Sequence, residues 1–93
     1  DFRFDFTRGI IEHQGKEQLL SAQEYKLMSY LCTHPEEIIS RDALLDAAWG
    51  YESETSTRTV DVHIAWLRKK IGDTGLIPKH IQTVRGLGYR FIP

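Results

Sequence analysis

The sequence predicts an α+β fold in which a small antiparallel sheet comes first, three helices follow, and a β-hairpin ends the chain. Three observations support this prediction. Apolar residues alternate at strand spacing near the N-terminus, three segments carry helix-start and helix-stop signals, and two short apolar runs flank a glycine-rich turn near the C-terminus. The 93 residues are enough for one small domain, so residues 1–93 are expected to form a single unit.

The N-terminal segment, residues 2–20, has the pattern of short strands. Phe2, Phe4 and Phe6 alternate with charged residues, and this period of two is that of a strand with one buried face. The turn-like tripeptide Gln14-Gly15-Lys16 separates two further apolar stretches. We therefore expect an antiparallel sheet of three or four strands.

The first two helices are predicted from their end signals. Ser21 and Glu24 can form a capping box, in which each side chain bonds the backbone N–H of the other residue, and Pro35 ends the helix that follows. Ser40 is a suitable N-cap for the second helix, and Gly50 ends it. The polar, acidic segment after Gly50 is predicted to be a loop.

The third helix, predicted from Ser56 or Thr57 to about Ile71, carries apolar residues on two faces. At about 100° per residue, one set forms a stripe that we expect to be buried: Val60, Ile64, Leu67 and Ile71. The opposite set, which we call the outer face, is Arg58, Val62, Ala65, Trp66 and Lys69. The flanks of the outer face are Thr59, His63 and Lys70 on one side and Asp61 and Arg68 on the other. Asp61 points sideways among cations, so we expect it to pair with a cation of the same chain.

The C-terminal hairpin is predicted from two strand-like runs, residues 80–84 and 89–92, on either side of the turn Arg85-Gly86-Leu87-Gly88. The two glycines allow the positive φ angles of a tight turn, and Tyr89 and Phe91 are expected to pack inward. Two helices, a third helix and a β-hairpin form the layout of a winged helix-turn-helix. In that layout the third helix enters the DNA major groove, and the hairpin, or wing, lies against the flanking backbone or minor groove.

The charge distribution favours a nucleic-acid partner, although the formal net charge is only −1. Residues 1–56 carry five Lys/Arg and eleven Asp/Glu, a net of −6, whereas residues 57–93 carry seven and two, a net of +5. The field of one basic face matters more to a nucleic acid than the total charge. The acidic part, residues 1–56, could equally be an ordinary solvated surface with no bearing on the choice of partner.

Other classes of protein lack support in the sequence. The four histidines have no metal-ligand spacing, and there is no nucleophile elbow, phosphate-binding loop or paired-carboxylate pattern, so we expect neither an enzyme nor a cofactor or metal. Cys32 is the single cysteine, which excludes an internal disulfide and fits a reducing cytoplasm. No run approaches the roughly 18 apolar residues of a membrane span.

Four motifs resemble the C-terminal effector domain of the OmpR/PhoB class of two-component response regulators. They are LLSAQEYKLMSYL at 19–31, AAWG at 47–50, RTVDVHIAWLRKKI at 58–71 and QTVRGLGYRF at 82–91. The resemblance covers the whole chain, and it implies a bacterial, cytoplasmic protein that binds double-stranded promoter DNA, commonly as two copies head to tail on direct repeats. It also implies an N-terminal receiver domain. The chain begins at Asp1 without methionine, so we expect a fragment of a longer protein, and the resemblance implies that the receiver domain is the part missing here.

The same resemblance assigns roles on the third helix. Positions matching Arg58, His63 and Arg68 usually contact the phosphate backbone, and the position of Val62 meets thymine methyl groups. The chain departs from the family pattern at Ala65 and Trp66, whose positions are often basic or polar and include a base-reading arginine. Since tryptophan has one N–H donor and no acceptor, it cannot pair bidentately with guanine.

Two interpretations of the tryptophan therefore stay open. Trp66 either reads DNA shape and methyl groups, or it folds over the wing or the second helix and is mainly structural. Trp49, at the end of the second helix, matches a residue that packs there and can offer its indole N–H to a phosphate; packing alone is the other interpretation. Thr83 and Arg85 match a phosphate-contacting threonine and an arginine that enters the minor groove, which attracts arginine where it is narrow. The alternative to a minor-groove contact is that Arg85 is a turn residue exposed only to solvent.

The expected DNA-binding set combines the outer face, its flanks and the wing. It is Trp49, Arg58, Thr59, Val62, His63, Ala65, Trp66, Arg68, Lys69, Lys70, Thr83 and Arg85. In activators of this family, the loop between the second and third helices touches RNA polymerase, and the matching residues are Gly50, Tyr51, Glu52, Ser53 and Glu54. The rival function is a winged-helix module that binds protein through the exposed apolar patch on the outer face, because tryptophan often anchors interfaces.

Overall fold

The described part of the chain, residues 1–50 and 54–93 of a computed structural model, follows the predicted order of elements. The strands and helices are β1 (Phe2–Asp5), β2 (Ile10–His13), β3 (Lys16–Leu19), α1 (Ala22–Thr33), α2 (Arg41–Trp49), α3 (Thr57–Ile71), β4 (Ile81–Val84) and β5 (Gly88–Phe91). The first predicted hairpin strand begins one residue later than predicted and ends at Val84 as predicted, whereas the second lies one residue earlier than predicted. The α+β architecture predicted from the sequence is confirmed.

The N-terminal sheet is an antiparallel meander in the order β1-β2-β3. Its register aligns Phe4 with Ile11, and Ile11 with Gln18 on the next strand. Ile11 is fully buried and belongs to the same apolar core as the helices. The sheet therefore has three strands among the described residues, at the lower end of the predicted number.

Both predicted helix caps on α1 and α2 are present. The Ser21 hydroxyl accepts from the Glu24 amide at 3.2 Å, and Glu24 Oε1 accepts from the Ser21 amide at 2.8 Å, which completes the capping box. The Ser40 hydroxyl accepts from the amide of Ala43 at 3.0 Å. These bonds satisfy backbone donors that would otherwise lack partners at the helix start.

The buried stripe of α3 is confirmed. Val60, Ile64 and Leu67 have no exposed surface, and Ile71 is 1% exposed. They pack with the inner residues of the other two helices, Leu27, Met28, Leu31, Leu44 and Ala48. Burying apolar surface stabilises the fold by about 25 cal/mol for each Å² removed from water. This gain determines which side of α3 faces the core.

The wing is tied to the segment before α2. Strands β4 and β5 pair antiparallel, and Ile39 forms a bridge with Tyr89 through two backbone bonds of 2.8 and 2.9 Å. Gly86 lies in the turn with φ +79°, as predicted. Gly88 lies in β5 instead, and a Cβ atom there would meet the carbonyl oxygen of Ile39 at 2.0 Å. Its φ of +145° is also positive, as predicted, so both the backbone angle and the close approach to Ile39 require glycine at this position.

Asp73 orders the connection between α3 and the wing, a role that the sequence pattern did not indicate. Its buried carboxylate accepts from the amides of Lys79 at 2.6 Å, His80 at 3.0 Å and Ile81 at 2.9 Å. Burial would raise the pKa of Asp73, but the three backbone hydrogen bonds hold it below its ordinary value. The start of β4 is thereby anchored to the end of α3.

Candidate nucleic-acid interface

The outer face of α3 is exposed along its length. All five of its residues, Arg58, Val62, Ala65, Trp66 and Lys69, are in the exposed class. Val62 is 41% exposed and Trp66 is 47% exposed, although large apolar side chains are usually buried. The helical period thus places two cations and three apolar groups on one accessible surface, opposite a stripe that is fully buried.

Three aromatic rings lie in a row beside and on this surface: Trp49 at the end of α2, and His63 and Trp66 on α3. The rings of Trp49 and His63 meet edge to face at 5.0 Å between centroids, and those of His63 and Trp66 lie 4.7 Å apart. His63 Nδ1 donates to the carbonyl oxygen of Thr59 at 2.8 Å. With Nδ1 protonated, neutral His63 has only an acceptor at Nε2, so His63 can donate to a phosphate only when its ring is charged.

Trp66 lies toward β3 and α1 rather than toward the wing. It lines a groove of about 410 Å³ whose other residues are Gln18, Ser21, Glu24, Lys69 and Lys70. One side of the indole is therefore placed against this groove and the adjacent His63 ring, while almost half of its surface stays accessible. Trp66 combines packing with exposure, so its position agrees fully with neither interpretation drawn from the sequence.

Lys70 departs from its predicted place on the flank of the outer face. Its Nζ donates to Glu24 Oε1 at 2.7 Å and to the carbonyl oxygen of Leu19 at 3.2 Å. The Glu24 side chain is only 4% exposed, and that of Lys70 is 22% exposed. A buried carboxylate needs a partner, so the ammonium group turns inward. The expected DNA contact of Lys70 stays a prediction; in this structure its ammonium group neutralises Glu24.

Arg68 also turns toward its own chain. Its Nε and Nη2 atoms donate to the carbonyl oxygen of Ile81 at 3.0 and 2.7 Å, and Nη2 donates to Thr83 Oγ1 at 2.9 Å. The guanidinium carbon lies 5.6 Å from the ring centroid of Tyr89. The helical wheel predicted on which side of α3 the Arg68 side chain leaves the helix. It did not predict the hydrogen bonds to the carbonyl oxygen of Ile81 in the wing. Arg68 therefore joins α3 to the wing, which the sequence did not predict.

The predicted intramolecular partner of Asp61 is confirmed. Arg41 at the start of α2 donates to both carboxylate oxygens, with Nε at 3.1 Å from Oδ1, and the Tyr89 hydroxyl donates to Oδ1 at 2.6 Å. Burial would raise the pKa of Asp61, but the bonds from Tyr89 and Arg41 lower it. Burial and the neighbouring carboxylate raise the pKa of Tyr89 to about 12. One carboxylate thus links α2, α3 and the wing.

The wing presents its predicted residues to solvent. Thr83 on β4 and Arg85 in the turn are both exposed, whereas Tyr89 and Phe91 are buried as predicted. Between the wing, the start of α2 and α3 lies a cleft of about 590 Å³, whose lining includes Thr83, Thr57 and Arg41. The outer face of α3 and the wing tip are therefore separate exposed elements on one scaffold.

Two residues of the predicted polymerase-contacting loop are described. Gly50 caps the C-terminus of α2 with φ 88°, and Glu54 is exposed. Tyr51, Glu52 and Ser53, which were predicted to belong to the polymerase-contacting loop, lie outside the described residues.

Within residues 1–50 and 54–93, no cluster of His, Cys, Asp and Glu side chains is suited to a metal ion. In the same part of the chain, no helix is both long and apolar enough to cross a membrane.

Known proteins with similar sequences and structures are regulators of transcription. The family model described as "Transcriptional regulatory protein, C terminal" matches residues 15–91. The transcriptional regulatory protein YvrH of Bacillus subtilis is 47% identical over 79 residues, covering 85% of this chain and 33% of that protein. The phosphate regulon transcriptional regulatory protein PhoB of Escherichia coli is 46% identical over 78 residues, covering 83% of this chain and 34% of PhoB.

A solved structure agrees with this relationship over the whole fold. The DNA-binding domain of Klebsiella pneumoniae RstA, in complex with the RstA box, superposes with a TM-score of 0.82 at 36% identity, covering 99% of this chain and 91% of that one. This chain spans about a third of the length of the two curated relatives. The matched family is one of transcription regulators and not an enzyme class. The chain therefore belongs to the family of C-terminal domains of transcriptional regulatory proteins, and the OmpR/PhoB-type resemblance of its sequence is confirmed.

Proposed function

We propose that this domain binds double-stranded promoter DNA with sequence preference and regulates transcription as the output domain of a two-component response regulator. In this proposal α3 enters the major groove and the wing tip enters the minor groove. The observation that carries it is the outer face of α3, where Arg58, Lys69 and three apolar residues are exposed directly opposite a fully buried stripe. The solved complex of RstA with its DNA box supports the same use of this fold.

The chemistry of the exposed groups suits a duplex. Arg58 and Lys69 supply cations for phosphate oxygens, and Val62, Ala65 and Trp66 supply apolar surface for thymine methyl groups. Thr83 and Arg85 extend the contact to the backbone and minor groove on the wing side. Trp49 and Thr59 lie near the outer face as candidate backbone contacts, and His63 joins them when it is charged. Lys70 is omitted because its ammonium group is paired with Glu24.

Further partners follow from the proposal and from the family. A second copy would bind head to tail on a direct repeat, and a receiver domain N-terminal to this chain would respond to a phosphorelay. In an activator, the loop from Gly50 to Glu54 would contact RNA polymerase. Promoter DNA lies in the bacterial cytoplasm, so the proposal locates the protein there.

The rival proposal is a protein-interaction module that uses the same surface. The exposure of Val62 and Trp66 favours it, since exposed apolar patches and tryptophan anchors are common at protein interfaces. A protein that binds the apolar surface of Val62 and Trp66 would not need the neighbouring cations Arg58 and Lys69, whereas a DNA duplex would. The two functions therefore differ in how strongly binding depends on salt.

The deciding experiment is selection from a random duplex pool with this 93-residue domain, followed by titration of the enriched sequence at several salt concentrations. We expect a short enriched motif, repeated at about one helical turn when two copies bind, and affinity that falls steeply with salt. Binding that is indifferent to sequence, or no enrichment, would contradict the proposal and favour the protein-binding alternative.

A matched pair of lysine variants tests where the duplex lies. Lys69→Gln removes a cation from the outer face, and Lys26→Gln removes an exposed cation from α1. We expect Lys69→Gln to lower the salt dependence of log K by about one unit, as the loss of one phosphate contact does, and Lys26→Gln to leave it unchanged. Equal effects of the two substitutions would mean that the duplex does not lie on the outer face.

A further inference from the structure

We propose that Arg68 is a positioning residue that orients the hydroxyl of Thr83, so that Thr83 makes the phosphate contact which the family pattern assigns to both residues. This inference rests on the proposed function, and it divides the work between two residues that lie 15 positions apart in sequence.

The edge of the guanidinium that could grip a phosphate is already occupied. Arginine binds phosphate most strongly through two parallel N–H bonds from one edge. In Arg68 the edge formed by Nε and Nη2 faces the wing, where both atoms donate to Ile81 O and Nη2 also donates to Thr83 Oγ1. Among the described contacts only Nη1 is left for an outside ligand, so a bidentate phosphate contact would require these bonds to break.

The bond to Thr83 determines what its hydroxyl can do. A threonine hydroxyl has one O–H donor and two acceptor positions, whereas arginine has donors only. Thr83 Oγ1 must therefore act as the acceptor toward Arg68, which leaves its own O–H free to donate elsewhere. Phosphate oxygens only accept, and Thr83 is exposed on β4. Arg68 thus turns Thr83 into a fixed donor for an acceptor-only ligand.

The same arginine also fixes the position of the strand that carries Thr83. The residue Ile81 is held on both sides, since its amide donates to Asp73 Oδ2 at 2.9 Å and its carbonyl accepts from Arg68. Both Arg68 and Asp73 lie at the C-terminal end of α3 or directly after it. The distance from the major-groove helix to the Thr83 hydroxyl is therefore set by these two contacts.

The test compares DNA affinity in four variants of the domain: Arg68→Lys, Thr83→Ser, Thr83→Val and the double variant Arg68→Lys/Thr83→Val. The duplex is the enriched sequence from the selection. Lysine keeps the charge but lacks the planar fork that reaches Ile81 and Thr83 together. We expect Arg68→Lys and Thr83→Val each to weaken binding about tenfold or more, as the loss of a hydrogen bond to a charged group does. Thr83→Ser, which keeps the hydroxyl, should bind like the wild type.

The double variant supplies the readout that separates positioning from a general structural effect. If Arg68 acts through Thr83, then Arg68→Lys should change affinity less than about twofold in the Thr83→Val background, because coupled residues are not additive. The matched control is Arg90→Lys, which makes the same change at a wing arginine bonded to Gln82 and should affect affinity little. Thermal unfolding of each variant shows whether the fold is retained.

Three results would overturn the inference. They are an Arg68→Lys variant that binds within about twofold of the wild type, an equal loss from Arg68→Lys in both backgrounds, and a Thr83→Val variant that binds normally. If the arginine variants do not fold, normal binding by Thr83→Val still overturns the inference, because Arg68 would then have no phosphate-contacting hydroxyl to orient. If the wild-type domain itself enriches no duplex, it is the proposed function that fails, and this outcome is distinct from the other three.

Discussion

Lys70 at the end of α3 donates from Nζ to Oε1 of Glu24 at 2.7 Å, joining two residues that are 46 positions apart in sequence. Glu24 is also the capping residue of α1, and its Oε1 atom accepts from the Ser21 amide as well. One buried carboxylate oxygen therefore fixes the start of α1 and the end of the proposed recognition helix. This contact holds α3 on the side opposite the bond from Arg68 to the wing.

Replacing Lys70 by methionine should destabilise the fold by about 3 kcal/mol, near the lower end of the range for breaking a buried ion pair. The physical reason is that Glu24 would keep a buried charge without its cation. Urea unfolding measures the effect, and Lys69→Met, which changes an exposed neighbour, is the matched control. The double variant Lys70→Met/Glu24→Gln should recover part of the loss, since glutamine can still cap the helix.

The effect of Lys70→Met should also depend on pH. Burial would raise the pKa of Glu24, but the bond from Lys70 and the other contacts hold it below its ordinary value. A carboxylate with a lowered native pKa stabilises the fold above its unfolded pKa, near 4.3, and loses that contribution as the pH falls through the native value. The difference between wild type and Lys70→Met should therefore shrink in acid. A constant difference across this range would contradict the assigned role of the pair.

Replacing Asp73 by asparagine should destabilise the domain by about 2–3 kcal/mol. Asparagine has one acceptor oxygen in place of two, so it cannot satisfy the three amides of Lys79, His80 and Ile81 in the same arrangement. Because the pKa of Asp73 is lowered in the native state, the wild type should lose this stability as the pH falls through that pKa. Asp73→Asn should therefore show a flatter decline in acid, measured by unfolding at a series of pH values, whereas exposed Asp42→Asn should follow the wild type.

Replacing Gly88 by alanine should destabilise the domain by about 2–4 kcal/mol, as the combination of a backbone clash and strain predicts. The new Cβ would lie 2.0 Å from the carbonyl oxygen of Ile39, so the bridge that holds the wing must open. Gly86→Ala is the control, because a Cβ there meets nothing within 4 Å and only its positive φ is unfavourable. We expect hydrogen exchange to show faster opening of the Tyr89 amide in Gly88→Ala alone. Equal destabilisation of the two variants would mean that the close approach to Ile39 is unimportant.

Replacing Trp66 by alanine should relax the base preference of the selected motif, by roughly 1–3 kcal/mol of discrimination at the positions it reads. Almost half of the ring is exposed on the outer face, where it can meet thymine methyl groups. Repeating the duplex selection with this variant measures the change, and Ile38→Ala is the control because Ile38 has the same exposure, 47%, and is not part of α3. An unchanged motif together with a lower melting temperature would instead assign Trp66 a purely structural role in the groove beside α1.

Much of the fold followed from short-range patterns because those patterns have local physical causes. The capping box at Ser21 and Glu24 is a bond between neighbours, and the period of α3 separates Ile64 from Trp66 without any knowledge of the rest of the chain. The Ile39–Tyr89 bridge was not predictable in this way. It depends on two backbone segments 50 residues apart meeting closely enough to exclude a side chain at Gly88.

The sequence by itself determined the order of strands and helices, the buried stripe of α3 and the set of side chains on its outer face. It also predicted that Asp61 would pair within the chain, from its charge and its place among cations on the helical wheel. Only the tertiary structure decided which cations of α3 stay exposed and which are paired within the chain. Lys69 and Lys70 are adjacent and chemically identical, yet one is exposed and the other neutralises Glu24. The helical period fixes the direction in which a side chain leaves its helix. Whether a charge stays in water depends on what the folded chain brings to meet it, since a buried carboxylate must find a partner.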